Sequence, residues 1–307
     1  MTYREARLQA AGALRAAGIE NEAAESGFLM EYACGSDLNF YLLHQGEEMP
    51  SDEATRYKKL VADRCRRIPL QHLTGKQEFM GLSFFVNEHV LIPRQDTEVL
   101  VEEALKLLHQ KCGTGKAAMP PSERSGAEHC VRERIGLPYD PDRRVLDLCT
   151  GSGCIAVSLK HFFPELAVCA SDISGEALTL ARINAVANHT GITFIESDLF
   201  SEITERFHMI ISNPPYIPSA VIRELMPEVR EHEPLRALDG GDDGLAFYRR
   251  IIGESPDYLL PGGYLLFEIG SDQGGAVSEM MREKGFADIK VLPDLAGLDR
   301  VVRGRYL

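Results

Sequence analysis

The sequence predicts an α/β fold, in which a mostly parallel sheet with helices on both faces follows a helical segment. Three observations lead to this prediction. From Arg144 onward, short apolar strand patterns alternate with helical ones, which is typical of a parallel sheet covered on both sides. A glycine-rich turn follows the first of these strands after Leu148, as in nucleoside-binding folds. Residues 1–67 instead show leucine and alanine at helical spacing.

The ends of the N-terminal helices can be recognised in the sequence. Thr2 and Glu5 have the spacing of a capping box. Gly35 interrupts the helical pattern, and Ser51 opens a last helix that ends before Pro69. We therefore expect a small helical unit that packs through its apolar faces.

A β-hairpin and a helix are predicted next. Strand-forming residues flank a glycine turn at residues 80–83. Asp96 and Thr97 are good N-caps for an amphipathic helix over Val99–Leu108. Residues 111–141 are polar, rich in glycine and proline and without periodicity, so we expect a mobile surface insertion there.

Four potential zinc ligands lie at the ends of this insertion: His109, Cys112, His129 and Cys130. The adjacent His129 and Cys130 suit tetrahedral coordination poorly, and neither pair has zinc-finger spacing. We therefore expect no metal site.

The rest of the chain alternates between strand and helix patterns. The predicted strands are Val145–Leu148, Leu166–Ala170, Ile192–Ile195, Phe207–Ile211, Tyr264–Ile269, Ile289–Leu292 and Arg300–Arg305. The predicted helices begin at Cys154 and cover Gly175–Asn188, Leu245–Ser255 and Gly274–Lys284.

Two motifs follow predicted strands directly. In the first, Gly151 and Gly153 permit a tight turn before a helix, and Asp172 follows 21 residues after Gly151 at the end of the next strand. This is the spacing at which a carboxylate commonly receives ribose hydroxyls, so the motif predicts a nucleoside cofactor. In the second, Asn213–Tyr216 reads Asn-Pro-Pro-Tyr and ends an apolar strand. Because proline has no N–H, the Asn213 amide and nearby carbonyls are left as acceptors suited to a planar –NH2 group.

Composition narrows the class of protein. The chain has 307 residues, 44% of them hydrophobic and 26% charged, and its net charge is −13. No apolar stretch is long enough to span a bilayer, and the N-terminus lacks the apolar core of a signal peptide. Seven cysteines without Cys-x-x-Cys pairs are typical of reduced thiols, so we expect a cytoplasmic protein. The negative charge argues against binding nucleic acid mainly through its phosphates.

Further motifs occur in a fixed order along the chain. They are Leu91–Glu98, Glu233–Pro234, Gly240–Leu245, Gly262–Gly263, Phe267–Gly270 and Gly297–Arg300. Together with the glycine turn and Asn-Pro-Pro-Tyr, they resemble the PrmC/HemK family, the release factor glutamine methyltransferases, from about residue 66 to the C-terminus. Proline is usual in that family where this chain has Gln95, and glycine where it has Cys149.

The resemblance implies S-adenosylmethionine as the cofactor. The residues implied to bind it are Cys149, Thr150, Gly151, Ser152, Gly153, Asp172, Asp198, Leu199 and Asn213. The glycine turn would hold the methionine end, and Asp172 would accept both ribose hydroxyls. Asp198 would lie near the exocyclic amine of adenine, with Leu199 against the ring.

The resemblance also implies the reaction, which is methylation of the side-chain amide nitrogen (N5) of a glutamine. That glutamine belongs to the Gly-Gly-Gln motif of class-one peptide-chain release factors. The implied catalytic residues are Asn213, Pro214, Pro215 and Tyr216. Asn213 and the Pro214 carbonyl would receive the amide –NH2, and Tyr216 would pack on the flat amide.

The implied domain organisation has three parts. A helical substrate-recognition domain covers residues 1–74, a β-hairpin linker covers 75–95, and a Rossmann-like methyltransferase domain covers 96–307. The resemblance implies seven strands in the sheet, with the last antiparallel. We expect a monomer whose partner is the release factor and that binds neither nucleic acid nor membrane.

Two other functions fit part of the pattern. N6-adenine and N4-cytosine nucleic-acid methyltransferases also use an Asn-Pro-Pro-Tyr type of loop. The net charge, the helical N-terminus and the segment from Ile92 to Glu98 weigh against this alternative. A nicotinamide-dependent dehydrogenase would share the glycine turn but would leave Asn213–Tyr216 unexplained.

Overall fold

The computed structural model of the protein describes residues 1–109 and 143–307. The predicted 111–141 insertion, and with it the zinc-ligand positions 112, 129 and 130, therefore lies outside the described residues. The N-terminal helices are α1 (Tyr3–Ala16), α2 (Glu22–Cys34), α3 (Leu38–His44), α4 (Ser51–Cys65) and α5 (Leu70–Thr74).

The capping box of α1 is confirmed. The Glu5 backbone N–H donates to Thr2 Oγ1 at 3.2 Å, and the Thr2 N–H donates to Glu5 Oε2 at 2.9 Å. The apolar face of α1 is buried against α2 and α4, so these helices share one small core.

The hairpin consists of β1 (Lys76–Phe79) and β2 (Leu82–Phe85). Its turn is shorter than predicted, because Phe79 pairs directly with Leu82 and only Met80 and Gly81 remain between the strands. Both of these residues have positive φ, as two-residue hairpin turns require. The buried Phe79 and Phe84 side chains join the main core, so the hairpin is anchored to the sheet domain.

Helix α6 (Asp96–His109) confirms the helix predicted over residues 99–108 but begins earlier. Asp96 and Thr97 lie in its first turn and not at its cap, so that assignment was wrong. Thr97 is 2% exposed. Its hydroxyl contacts Asn213 of the Asn-Pro-Pro-Tyr loop, 116 residues further along the chain.

A seven-stranded sheet forms the centre of the molecule. Its strands are β3 (Arg144–Leu148), β4 (Ala167–Asp172), β5 (Thr193–Glu196), β6 (Phe207–Ser212), β7 (Leu259–Glu268), β8 (Phe286–Pro293) and β9 (Asp299–Tyr306). The order is β5-β4-β3-β6-β7-β9-β8, and β9 alone runs against the other strands of this sheet. The helices between and after the strands are α7 (Cys154–Phe162), α8 (Gly175–Ala187), α9 (Pro227–His232), α10 (Ala246–Glu254) and α11 (Gly274–Glu283). The predicted fold, with an antiparallel last strand, is confirmed.

The strand order reverses between β3 and β6, which is where ligands bind in open α/β sheets. Leu148 pairs with Ser212 in parallel register. Because the glycine turn follows Leu148 and Asn-Pro-Pro-Tyr follows Ser212, the two predicted motifs lie side by side at the carboxyl edge of the sheet.

Buried ion pairs connect the helical region to the segment that follows Asn-Pro-Pro-Tyr. Arg64 contacts Glu25 at 2.6 Å and Glu228 at 2.9 Å, and Arg67 contacts Glu228 at 2.7 Å. Breaking a buried pair of this kind leaves an uncompensated charge and costs about 3–5 kcal/mol. The helical region is therefore held firmly against α9.

No helix within residues 1–109 and 143–307 is both long and apolar enough to cross a membrane. In the same residues, no group of three or more His, Cys, Asp or Glu side chains is arranged to hold a metal ion.

Candidate active site

A cavity of about 490 Å³ opens at the carboxyl ends of β3, β4 and β6. Nine of the twelve predicted site residues line it: Cys149, Thr150, Gly151, Ser152, Asp172, Asp198, Leu199, Asn213 and Pro215. The other three, Gly153, Pro214 and Tyr216, lie in the same two loops but are not among the lining residues.

Three of the five residues in the glycine turn have a left-handed backbone conformation. Cys149, Gly151 and Gly153 all have positive φ, at 60°, 54° and 81°. A Cβ on Gly153 would lie 3.1 Å from the Ala181 Cβ, so glycine there also allows α7 and α8 to approach closely. No atom lies within 4 Å of the position that a Cβ on Gly151 would take, so the backbone at Gly151 is open toward the cavity.

Cys149 is the one residue of this turn that carries a side chain in a conformation favouring glycine. Burial, and next the nearby Asp172 carboxylate, raise the pKa of its thiol. The thiol is therefore neutral and a poor nucleophile near pH 7.

The Asp147 carboxyl group forms hydrogen bonds that stabilise the glycine turn. This residue was not predicted from the sequence as a site residue. Its Oδ2 accepts a hydrogen bond from the Thr150 hydroxyl at 2.5 Å and another from the Ala156 N–H at 3.2 Å. Burial raises the pKa of Asp147 to about 7, while these two hydrogen bonds act to lower it. The carboxyl group is fully buried and does not line the cavity, so its role is to hold the turn.

Asp172 ends β4 and lines the cavity beside the glycine turn. Its Oδ2 accepts from the Gly151 N–H and its Oδ1 from the Ser174 N–H, both at 2.9 Å. Burial raises the pKa of Asp172, and the two backbone hydrogen bonds act against that rise. Each oxygen keeps a further lone pair, so the fixed carboxylate can accept two hydroxyls.

The Asp198 and Leu199 pair extends the cavity beyond Asp172. Leu199 is buried with φ of 51°, and Asp198 is exposed and forms an ion pair with Arg250 at 3.0 Å. An exposed pair of this kind contributes little to stability. The Asp198 carboxylate remains at the rim of the cavity, beside an apolar wall.

The Asn-Pro-Pro-Tyr loop begins where β6 ends. Among the described residues, no hydrogen bond reaches the carbonyl oxygen of Asn213 or of Pro214, which leaves both free to accept one. The Asn213 Nδ2 donates to Thr97 Oγ1 at 3.4 Å. Tyr216 directs its hydroxyl to Glu268 Oε1 at 3.3 Å, and its carbonyl accepts from Gln273 Nε2 at 2.9 Å. The loop is therefore fixed on one side and offers acceptors on the other.

The motif Gly240–Leu245 packs against the backbone of the Asn-Pro-Pro-Tyr loop at Tyr216. A Cβ on Gly240 would lie 2.8 Å from the Tyr216 Cα, and one on Gly244 would overlap the Tyr216 carbonyl oxygen. Glycine at both positions lets the two loops pack backbone to backbone. This explains the glycines of a motif to which the sequence alone assigned no role.

An ion pair at the cavity rim joins two other motifs. Arg94 contacts Glu233 at 2.6 Å, and both lie in segments that the sequence analysis singled out without a role. Burial raises the pKa of Glu233, and Arg94 is the main effect against it. The pair connects the segment before α6 to the segment after α9.

Several residues that shape the site were missed from the sequence: Thr97, Asp147, Asn184, Glu268 and Gln273. Asn184, for example, lies in α8 and bonds both the hairpin at Phe85 and the glycine turn at Ser152. The partners of Thr97 and Asn184 are far away along the chain, so no local pattern reveals their contacts.

Two family models match parts of this chain. Residues 5–75 match the family model described as the PrmC N-terminal domain, and residues 135–228 match the methyltransferase small domain. A solved structure, the 16S rRNA N2 G1207 methyltransferase of Thermus thermophilus, is 15% identical with a TM-score of 0.46, and the match covers 76% of this chain and 50% of that chain.

Two curated relatives are similar over nearly their whole length. The release factor glutamine methyltransferase of Geobacter sulfurreducens is 41% identical over 295 residues, which cover 96% of this chain and 93% of the relative. That of Moorella thermoacetica is 39% identical over 304 residues, which cover 98% and 97%. The resemblance found from the motifs is confirmed, and the chain belongs to the release factor glutamine methyltransferase family.

Proposed function

We propose that this protein transfers a methyl group from S-adenosylmethionine to the side-chain amide nitrogen (N5) of a glutamine. The substrate is the glutamine of the Gly-Gly-Gln motif in class-one peptide-chain release factors. The observation that carries the proposal is the pairing of Leu148 with Ser212, which brings a nucleoside-binding turn and free amide acceptors into one cavity.

The cofactor half of the cavity fits this cofactor. Asp172 offers two fixed carboxylate oxygens for the ribose hydroxyls. The turn at Gly151 leaves its backbone uncovered by any Cβ, so the methionine part can approach it. Leu199 supplies an apolar surface for the adenine ring, with Asp198 at the rim for its amino group.

The acceptor residues must act on a poor nucleophile, because an amide nitrogen delocalises its lone pair into the carbonyl. Bound S-adenosylmethionine supplies an electrophilic methyl group on a sulfonium. Asn213 Oδ1 and the Pro214 carbonyl accept the two N–H donors of the substrate amide and hold its nitrogen toward that methyl. They also stabilise the positive charge that develops on the nitrogen as it is alkylated.

The bonds balance without a further reactant. The cofactor, held by Asp172 and the glycine turn, would supply the methyl group and become S-adenosylhomocysteine as its C–S bond gives way to the new N–C bond, and the nitrogen would give up one proton. The Tyr216 hydroxyl is directed to Glu268 and braces the loop that carries the two acceptors.

We propose the same division of the chain that the motifs suggest. Residues 1–74 recognise the release factor, residues 75–95 connect, and residues 96–307 bind the cofactor and transfer the methyl group. The ion pairs of Arg64 and Arg67 with Glu228 support this division, since they align the helical region with the loop that carries Asn213. We further propose that the protein acts as a monomer in the cytoplasm and binds no nucleic acid directly.

A labelling assay tests the proposal against its alternative. The protein is incubated with S-adenosylmethionine carrying a labelled methyl group and one of three acceptors. These are a class-one release factor, the same factor with its motif glutamine replaced by glutamate, and a DNA duplex. We expect label in the first acceptor alone, because glutamate has the shape of glutamine but no –NH2. Label in DNA would instead support an amino-group methyltransferase of nucleic acids.

A further inference from the structure

The Asn213 amide must point its oxygen, and not its –NH2, toward the substrate if it is to accept a hydrogen bond. The two ends of an asparagine amide have nearly the same shape, so packing alone selects weakly between them. The surroundings of Asn213 must therefore contain a polar group that distinguishes them.

Thr97 is the group that contacts the inner end of the amide. It lies in the first turn of α6, is 2% exposed, and its Oγ1 is 3.4 Å from the Asn213 Nδ2. A threonine hydroxyl has one proton to donate and two lone pairs that accept. Whether the Thr97 hydroxyl accepts a hydrogen bond from Asn213 or donates one to it therefore depends on where the Thr97 proton points.

Glu268 has a buried carboxyl oxygen that is available to accept that proton. It ends β7, where Ser212 pairs with Phe267, so Asn213 and Glu268 are the next residues of two neighbouring strands. The carboxyl group is 1% exposed, and its Oε2 has no partner at hydrogen-bond geometry among the described residues. Burial raises the pKa of Glu268, and the Thr97 hydroxyl is the largest effect against that rise.

We propose that Thr97 and Glu268 are positioning residues that hold the Asn213 amide with its oxygen facing the cavity. Glu268 draws the Thr97 proton toward itself. The Thr97 oxygen can then only accept, so it selects the –NH2 end of Asn213 and leaves Oδ1 for the substrate. This inference rests on the proposed function and adds two residues that act through Asn213.

The same carboxyl group also receives the Tyr216 hydroxyl on its other oxygen. One buried side chain thus orients both ends of the Asn-Pro-Pro-Tyr loop. An apolar residue at position 268 would remove both partners at once, and Asn213 would be free to turn its –NH2 toward the substrate.

Single-turnover methyl transfer to the release factor, at saturating cofactor and factor, tests the proposal. Thr97→Val keeps the shape of the side chain and removes the hydroxyl, so we expect the rate to fall about 10-fold, which is less than the roughly 10²–10³-fold loss typical of removing a group that acts directly. Thr97→Ser keeps the hydroxyl and should restore a rate within about twofold of wild type. Cofactor affinity should be unchanged in both variants. Thr179→Val removes an exposed helix hydroxyl remote from the cavity and is the matched control.

A double-mutant cycle distinguishes positioning from a general structural role. If Thr97 acts through Asn213, then Thr97→Val should cost nothing further once Asn213 is already alanine. If Thr97→Val does not fold, Glu268→Gln provides a second test of the positioning role. Its amide can donate to the Thr97 hydroxyl, which turns the Thr97 proton toward Asn213 and should also lower the rate.

The two proposals fail in different ways. If wild-type protein methylates no release factor, the proposed function is wrong. If wild type is active, and Thr97→Val or Glu268→Gln transfers at the wild-type rate or shows a cost that adds to that of Asn213→Ala, the positioning role is wrong.

Discussion

The two halves of the cavity are built in different ways. The cofactor half, formed by Cys149–Gly153 and Asp172, is held by groups at two successive strand ends: the Thr150 N–H donates to the Ser171 carbonyl, the Gly151 N–H donates to the Asp172 carboxylate, and Asp147 accepts from Thr150. The acceptor half, formed by Asn213–Tyr216, is held by buried side chains from α6 and β7, namely Thr97 and Glu268. A ligand bound through backbone and one carboxylate needs little from the rest of the chain. An amide held in one orientation needs partners of defined polarity, and these come from far away in sequence.

This difference predicts that the two halves can be damaged separately. Changes in the cofactor half should alter cofactor affinity and leave transfer at saturating cofactor nearly intact. Changes in the acceptor half should do the reverse.

The largest effect is expected for Asp172→Ala. On the proposed function it removes the charged acceptor of two ribose hydroxyls, whose hydrogen bonds each contribute about 1.5–3 kcal/mol, and it loosens the turn at Gly151. Cofactor affinity measured by calorimetry should fall by about 100-fold or more. Asp198→Ala is the matched control, since that carboxylate is exposed and paired with Arg250, and it should lose far less. Equal losses in the two variants would show that Asp172 has no special part in holding the ribose.

Asn213→Ala should lower the methyl-transfer rate by about 100-fold. It deletes one acceptor of the substrate amide, and alignment and charge stabilisation act mainly in the transition state. Release-factor affinity should fall only modestly, because the substitution leaves the proposed recognition region, residues 1–74, unchanged. Asn213→Asp keeps an acceptor oxygen and is the sharper control. Near-normal turnover of Asn213→Ala, alongside a slow Tyr216→Ala, would make Asn213 a turn residue only.

Asp147→Asn should change how stability depends on pH. Because burial raises the folded-state pKa of Asp147 to about 7, above an unfolded value of about 3.9, its neutral form stabilises the protein below pH 4. That contribution is lost as pH rises toward 7. Relative to Asp147→Asn, the wild-type free energy of unfolding should fall by roughly 1 kcal/mol per pH unit between pH 5 and 7. Denaturant titrations at pH 5, 6 and 7 measure it, and parallel curves for the two proteins would contradict it.

Cys149→Gly should have the smallest effect. The left-handed conformation at this position costs a residue with a Cβ about 1–2 kcal/mol, and losing the packed thiol and stiffness of cysteine offsets this gain. The free energy of unfolding should change by less than about 1 kcal/mol. Gly153→Ala makes the opposite change, from glycine to a residue with a Cβ, in the same turn. Because that Cβ would crowd Ala181, the free energy of unfolding should fall by about 1–3 kcal/mol. A destabilisation by Cys149→Gly as large as that of Gly153→Ala would show that the thiol packing matters more than the backbone.

The two halves also differ in how far the sequence predicts them. Gly151, Gly153 and Asp172 follow strands directly and have a known spacing, so the cofactor half could be predicted from local pattern. Asn213 could be predicted too, because two prolines end its strand. Its partners could not: Thr97 looked like a helix cap, and Glu268 looked like part of an apolar strand. A buried polar contact between residues 116 positions apart leaves no local signal.

Identifying the methylated atom tests the central claim most directly. A Gly-Gly-Gln release factor labelled with ¹⁵N in its glutamine side chain is treated with the protein and ¹³C-methyl S-adenosylmethionine, and the product is examined by NMR. We predict a one-bond ¹³C–¹⁵N coupling at that side-chain nitrogen in wild type, strongly reduced in Asn213→Ala at equal cofactor occupancy. A methyl group on any other atom, or an equal yield from Asn213→Ala, would contradict the proposed role of the acceptor half.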